Sequence, residues 1–258
     1  MRSFKFNIKE TKIEIKAFSS LCVPCRKECL VKMKRKIIFI VYCIGLLIAL
    51  LYRGRITKAF ALMMDQNLKG TVIVLDAGHG GNDPGARVSG QDEDEINLDL
   101  VLKLADYLKK AGAEVRLTRT EDVDLSDEGV SNIKRSDLQH RAEILNAEDV
   151  TLFISVHCNT SGDQRCQGSQ VYYRINDRIS QQLADTIQLQ MKEVTGSKYI
   201  PASGDFYLLN ETDNLGVLVE VGFLTNTQDL TQLKTEDYRE ELAFSIYKGI
   251  SQFLEKLF

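Results

Sequence analysis

The chain has 258 residues, 44% of them hydrophobic and 27% charged, with a formal net charge of −3. That length suits one domain of roughly 150–200 residues with appendages, and the charge is spread unevenly: residues 1–58 hold 14 Lys and Arg against 3 Asp and Glu, the remaining 200 hold 19 against 33. So acidic a domain repels phosphates, which excludes a nucleic-acid partner, and the basic end reads as membrane-proximal.

Ile37 to Tyr52 is a run of sixteen residues without a charge, preceded by Lys32, Lys34, Arg35 and Lys36 and followed by Arg53, Arg55 and Lys58. As a helix it spans about 24 Å, somewhat short of the ~30 Å hydrocarbon core, and flanking Lys and Arg can snorkel to close the gap. We read residues 33–58 as a signal anchor or transmembrane segment, with the domain outside the cytoplasm. Ala59-Phe60-Ala61 resembles a cleavage site, but it lies well past the apolar run and behind three basic residues, so an uncleaved anchor is expected. Residues 1–32 form a basic extension ahead of what reads as a complete signal sequence, and translation is expected to begin at Met33. Residues 59–70 are a linker and 71–258 the domain. Cys22, Cys25 and Cys29 have no second cluster to complete a metal site, and Cys43 lies inside the apolar run. Cys158 and Cys166 are either a disulfide of an extracytoplasmic domain or two free thiols.

The domain opens with a strand over 71–76, an apolar run that climbs to Asp76. Gly78, Gly80, Gly81 and Gly85 then surround His79 in a loop able to approach a ligand closely. A helix follows from about Gln91, its acidic first turn suited to the helix dipole. Leu98, Val101, Leu102, Ala105 and Leu108 supply its apolar face, Gly112 ends it, and Glu114–Thr118 is the next strand, a βαβ pattern with a parallel sheet. Residues 119–134 read as a surface loop, 135–147 as a helix, 151–156 as a strand delivering His157, and 169–174 as a further strand. Residues 176–195 are helical, with Ile179, Leu183, Ile187 and Met191 near one face. Phe206–Leu209 and Val217–Val221 are strand candidates, the second delivering Glu220, and Glu236–Leu257 is an amphipathic helix.

Three apolar strands that each deliver a polar group at the carboxyl end point to one site, where open α/β sheets place their ligands. Two imidazoles and carboxylates form a zinc ligand set. His140, mid-helix beside Arg141, reads as a surface residue. Arg119 and Arg141 are ion-pair partners or binders of substrate carboxylates. Glu93 by itself reads more as a dipole partner than as a ligand.

Five stretches carry a resemblance: Leu75-Asp-Ala-Gly-His79-Gly-Gly-x-Asp83-x-Gly85-Ala86; Glu93 followed by Ile96-Asn97-Leu98; Leu117-Thr-Arg119; Arg141 ahead of Phe153-Ile-Ser-Val-His157-Cys-Asn159; and Val219-Glu220-Val-Gly-Phe-Leu-Thr-Asn226. Over residues 71–256 the chain resembles the zinc-dependent N-acetylmuramoyl-L-alanine amidases of the amidase-3 family. Asp122-Val-Asp124-Leu, Glu128-Gly129, the lone anchor and the lack of wall-binding repeats make it most similar to the short, anchored enzymes of endospore formers that act on spore-cortex peptidoglycan. The resemblance implies an α/β fold, a single domain with a six-stranded, mostly parallel sheet flanked by helices. It also implies zinc held by His79, Glu93 and His157, Glu220 as the catalytic carboxylate, peptidoglycan as substrate and a place in the spore envelope. Asp94 stands where the family usually has Lys, and acids at 92–95 leave the ligand choice there open.

On this reading Glu220 moves a proton between water and the leaving amine of L-alanine, and the stripped muramic acid goes on to muramic-δ-lactam after a separate deacetylation. With no wall-binding module in the sequence, an accessory or activating protein is a possible partner. The alternatives are a catalytically silent scaffold of the same fold or another zinc peptidase of the wall. A zinc deaminase would need His-x-Glu and Pro-Cys-x-x-Cys, and neither occurs.

Overall fold

The computed structural model describes residues 35–48 and 68–257, and the chain divides into two compact units, residues 1–59 and 60–258. In the first, residues 35–48 are helical, with Ile37, Phe39, Val41 and Leu47 exposed. The expected anchor is therefore only partly described. Among the described residues no helix is long and apolar enough to cross a membrane. The basic extension, the Ala59–Ala61 site, the Met33 start and the Cys22–Cys29 cluster lie outside the described residues.

The second unit is a six-stranded sheet covered by helices on both faces. Its elements are β1 (Val72–Ala77), β2 (Arg87–Val88), β3 (Gln91–Asp92), α1 (Glu93–Lys110), β4 (Glu114–Leu117), α2 (Ile133–Leu145), β5 (Leu152–Asn159), β6 (Gln170–Tyr173), α3 (Arg178–Thr195), β7 (Ala202–Ser203), α4 (Tyr207–Glu211), β8 (Gly216–Phe223), α5 (Thr227–Leu233) and α6 (Glu236–Leu257). Strand order is β4-β1-β5-β8-β6-β7, with β2 and β3 a separate hairpin. Strands β4, β1, β5 and β8 are mutually parallel, and β6 runs antiparallel to β8. The sheet is thus mostly parallel, as expected.

Alternation along each strand decides which face a residue serves. Ile73, Leu75, Leu152, Ile154, Val217 and Val219 join α1, α3 and α6 in the larger core. Val74, Phe153 and Leu218 point the other way, onto Ala142, Leu145, Leu208 and Leu209 of α2 and α4. Farther along this second face, Val74 leads through Asp76 to Gly78, Phe153 through Ser155 to His157, and Leu218 directly to Glu220.

Several elements differ from the sequence expectation. The stretch Phe206–Leu209 is no strand: Phe206 is the extended N-cap of α4, and both Leu208 and Leu209 are buried. A four-residue apolar run has no period that separates helix from strand, and here packing on the sheet decides. In α1 the buried stripe is Ile96, Leu100, Val101, Leu104 and Leu108, while Leu102 is exposed. Ile179 is likewise 51% exposed, so the apolar face of α3 begins at Leu183. Helix α5, unexpected from periodicity, starts where the Asn226 side chain accepts from the N–H groups of Gln228 and Asp229.

Candidate active site

Beyond β1 the backbone turns sharply. His79 takes a left-handed φ of 63°, followed by Gly80 at 129° and Gly81 at 59°. A non-glycine residue in this region is strained and needs surrounding structure to hold it. Two buried arginines do so. Arg141 donates from Nη2 to the His79 carbonyl at 2.7 Å and from Nη1 to the Ala77 carbonyl at 2.7 Å. It also pairs with Asp76 at 2.7 Å and Asp137 at 2.8 Å. Arg119 donates to the carbonyls of Ala77, Gly78 and Asp94. Of the two roles open to these arginines, Arg141 takes the ion pair, and Arg119 is a clamp on backbone oxygens.

The loop aims the imidazole. Asp83 Oδ2 lies 3.0 Å from His79 Nδ1, which leaves Nε2 facing Glu93 Oε1 at 3.3 Å. His157 Nδ1 lies 3.1 Å from the same oxygen. The rings meet edge to face, with centroids 4.9 Å apart. Glu93 is 4% exposed and held by backbone N–H groups, from Cys158 to Oε1 at 3.0 Å and from Ala86 to Oε2 at 2.9 Å. Of the acids at 92–95, Glu93 is the one that faces both imidazoles. Asp92 pairs with Arg87, Glu95 accepts from Gln91, and the buried Asp94 Oδ1 has no hydrogen-bond partner.

Charges follow from these contacts. Burial alone would raise the Glu93 pKa, but the bonds to His157 and His79 hold it far below the carboxylate range. Burial lowers and the Glu93 and Asp83 carboxylates raise His79, with a net upward shift. Asp94 is pushed up to about 6, by burial and then by the neighbouring Asp122 carboxyl.

One donor atom each from His79, Glu93 and His157 lies within 4.8 Å of the others, so these residues can hold a metal ion. A four-coordinate ion with bonds of about 2.0–2.1 Å keeps its ligand atoms about 3.3 Å apart, and two imidazoles with one carboxylate leave a position open. The His–Glu separations fit. Glu220 sits beside His157 in the β5–β8 register. It is 8% exposed, its Oε2 is buried without a hydrogen-bond partner, and burial pushes its pKa up to about 7. All four side chains line a cleft of about 320 Å³ whose walls include Lys134, Asn159, Thr160, Phe206 and Tyr207.

The remaining expectations are settled nearby. His140 is a surface residue paired with Asp127 and Glu143. Cys158 and Cys166 are both free. The Cys158 thiol is buried, its pKa pushed well up, and it donates to Asn97 Oδ1 across 3.6 Å. Sequence reasoning gave no role to Asp83, the orienting partner of His79, although an acid four residues after a loop histidine was a readable signal.

Known proteins bear on this arrangement. The Amidase_3 family, described as N-acetylmuramoyl-L-alanine amidase, matches residues 73–252. The germination-specific N-acetylmuramoyl-L-alanine amidase of Bacillus subtilis (strain 168) is 34% identical over 193 residues, covering 72% of this chain and 81% of that protein. The CwlD amidase of Clostridioides difficile, solved in complex with the GerS lipoprotein, superposes with a TM-score of 0.70 at 33% identity, over 72% of this chain and 99% of that one. The catalytic domain of CwlV, an N-acetylmuramoyl-L-alanine amidase from Bacillus (Paenibacillus) polymyxa var. colistinus, gives 0.64 at 31% identity, over 72% and 98%. With the match running from β1 into α6, the chain belongs to the Amidase_3 family of N-acetylmuramoyl-L-alanine amidases.

Proposed function

We propose that the chain is a zinc-dependent hydrolase of the amide bond between the lactyl group of N-acetylmuramic acid and L-alanine, acting on spore-cortex peptidoglycan. His79, Glu93 and His157 would hold the zinc, and Glu220 is the catalytic carboxylate. The observation that carries this reading is the meeting of two imidazoles and a carboxylate within 4.8 Å, beside a buried carboxyl whose oxygen has no partner.

Zinc held there would supply Lewis-acid polarisation of the scissile carbonyl, readying it for attack by water. Glu220 takes the proton from that water and hands it to the amine nitrogen as the C–N bond breaks, leaving a lactyl carboxylate and a free L-alanine amine. Asp83 holds His79 in the tautomer that presents Nε2, and the N–H groups of Cys158 and Ala86 fix the Glu93 carboxylate in place. The half-buried rings of Phe206 and Tyr207 give the cleft an aromatic stretch of wall.

The cortex assignment rests on likeness to a germination-specific amidase. Stripped muramic acid would then serve as the precursor of muramic-δ-lactam. Residues 33–58 anchor the chain, with the catalytic unit outside the membrane in the spore envelope. A relative solved with a lipoprotein supports an accessory protein partner for this chain as well.

The test is mass spectrometry of muropeptides after incubation with the full chain, with and without chelator, alongside metal analysis. About one zinc per chain and release of L-alanine-terminated peptides are expected, with release abolished by chelation. Glu220→Ala should keep fold and zinc while its rate falls by about 10²–10⁴-fold or more. Release undiminished in that variant removes Glu220 from the mechanism; release from a metal-free chain removes zinc.

A further inference from the structure

The cleft is lined by several acids and few cations. Among the described residues of its wall, the permanent cations are Arg141 and Lys134. Arg141 is 1% exposed and fully engaged: it pairs with Asp76 and Asp137 and donates to the carbonyls of Ala77 and His79. Lys134 is exposed, and its Nζ lies 3.4 Å from Asp83 Oδ2. That same oxygen lies 3.0 Å from His79 Nδ1. A single carboxylate oxygen thus separates the ammonium from a ring of the imidazole centre. The place is unfavourable for a cation. Lys134 and Arg135 sit in the first turn of α2, which holds no acid, and there the helix dipole disfavours positive charge. The dipole of α2 gives no reason for a lysine at 134; a negative group arriving in the cleft does.

We propose that Lys134 is a specificity residue that binds a carboxylate of the stem peptide, the one on the residue following L-alanine. This rests on the amidase reading of the cleft. In peptidoglycan that residue is a D-glutamyl unit whose α-carboxyl is either free or amidated. In an extended stem its carboxyl carbon lies about 6–7 Å from the carbonyl under attack. The two contacts of Asp83 Oδ2 hold Lys134 Nζ within the same span of His79 Nδ1, and the four-carbon stem of a lysine is flexible. An ammonium is a point charge with three donors, so it favours a carboxylate over a neutral carboxamide. When Lys134 turns to the substrate it exchanges one ion pair for another, while Asp83 keeps His79 and the Gly85 N–H. The chain thereby selects stems whose second residue is unamidated.

The test compares hydrolysis, by the zinc-loaded full chain, of glycan fragments with an L-alanyl-D-glutamyl stem whose α-carboxyl is free or amidated. The native chain should prefer the free acid by about 3–10-fold in kcat/KM, carried by KM and shrinking as salt rises. Lys134→Met should abolish that preference, and Lys134→Arg should retain it. Equal kcat/KM of the native chain on both stems overturns the proposal and leaves the amidase reading intact. So does an equal loss on both stems in Lys134→Met, which would mean that the lysine acts through Asp83 on His79. Should the native chain cleave neither stem, the amidase reading falls instead. Calorimetry of the two fragments on the zinc-loaded Glu220→Ala chain then still reads Lys134: the free acid should bind about 3–10-fold more tightly, and equal affinities overturn the proposal.

Discussion

A missing methyl group sets the spacing of the imidazole centre. A Cβ on Gly78 would lie 2.2 Å from His157 Cε1 and 2.3 Å from Nε2, so the ring and any side chain at 78 compete for one volume. Gly78→Ala should therefore fold but bind zinc at least about tenfold more weakly, in line with other changes next to ligand side chains; metal competition against a chelator measures it, and native affinity would contradict it. His79, His157 and Glu220 were legible because each ends an apolar run with a polar group. Glu93 was legible only through the resemblance, since acids are generic in a helix's first turn. The reach of Arg141 to the carbonyl of a residue 62 positions away left no mark in either local pattern.

At the scale of elements, long periodic segments were readable and short ones were not. Helix α6 falls on Glu236–Leu257 as expected, since 22 residues sample its apolar stripe several times over. The four residues from Phe206 sample a period once. Helix α5 is seven residues long and owes its position to Asp229, whose Oδ2 accepts from the buried N–H groups of Gly168 at 2.7 Å and Phe223 at 2.8 Å. One side chain thus ties α5 to the end of β8 and to the turn before β6. Asp229→Ala leaves two buried donors unpaired, at about 1–3 kcal/mol each. Denaturant unfolding should show a loss of about 2–4 kcal/mol, and a loss under 1 kcal/mol would mean the two donors find other partners.

Across the whole molecule, strand order makes the site. Only because β1, β5 and β8 are neighbours do His79, His157 and Glu220, spread over 142 positions, share one cleft. Beneath them Asp76 is fully buried between Arg141, Thr118 and Ser155. Burial alone would raise its pKa, but the Arg141 charge, the Ser155 hydroxyl and His157 together lower it. A depressed carboxylate pKa contributes stability that is complete above the unfolded value of about 3.9 and is lost as pH falls through the folded one. Asp76→Asn should cost about 3 kcal/mol at pH 7, and its deficit against the native chain should shrink below about pH 4. Equilibrium unfolding at pH 7, 5 and 3, with chelator present throughout so that metal release adds nothing, checks this. A deficit constant across that range would remove Asp76 from the acid-labile stability.

By itself the sequence determined the βαβ order, the three strand ends that carry polar groups and the acidic character of the catalytic unit. These are written in period, composition and glycine placement, which are properties of neighbouring residues. Tertiary structure decided which first-turn acid faces the imidazoles, how α4 and α5 are formed, that Cys158 and Cys166 stay apart, and that Arg141 holds the strained loop. Each of those depends on what stands across the fold, because burial and hydrogen-bond partners are supplied by segments distant in the chain.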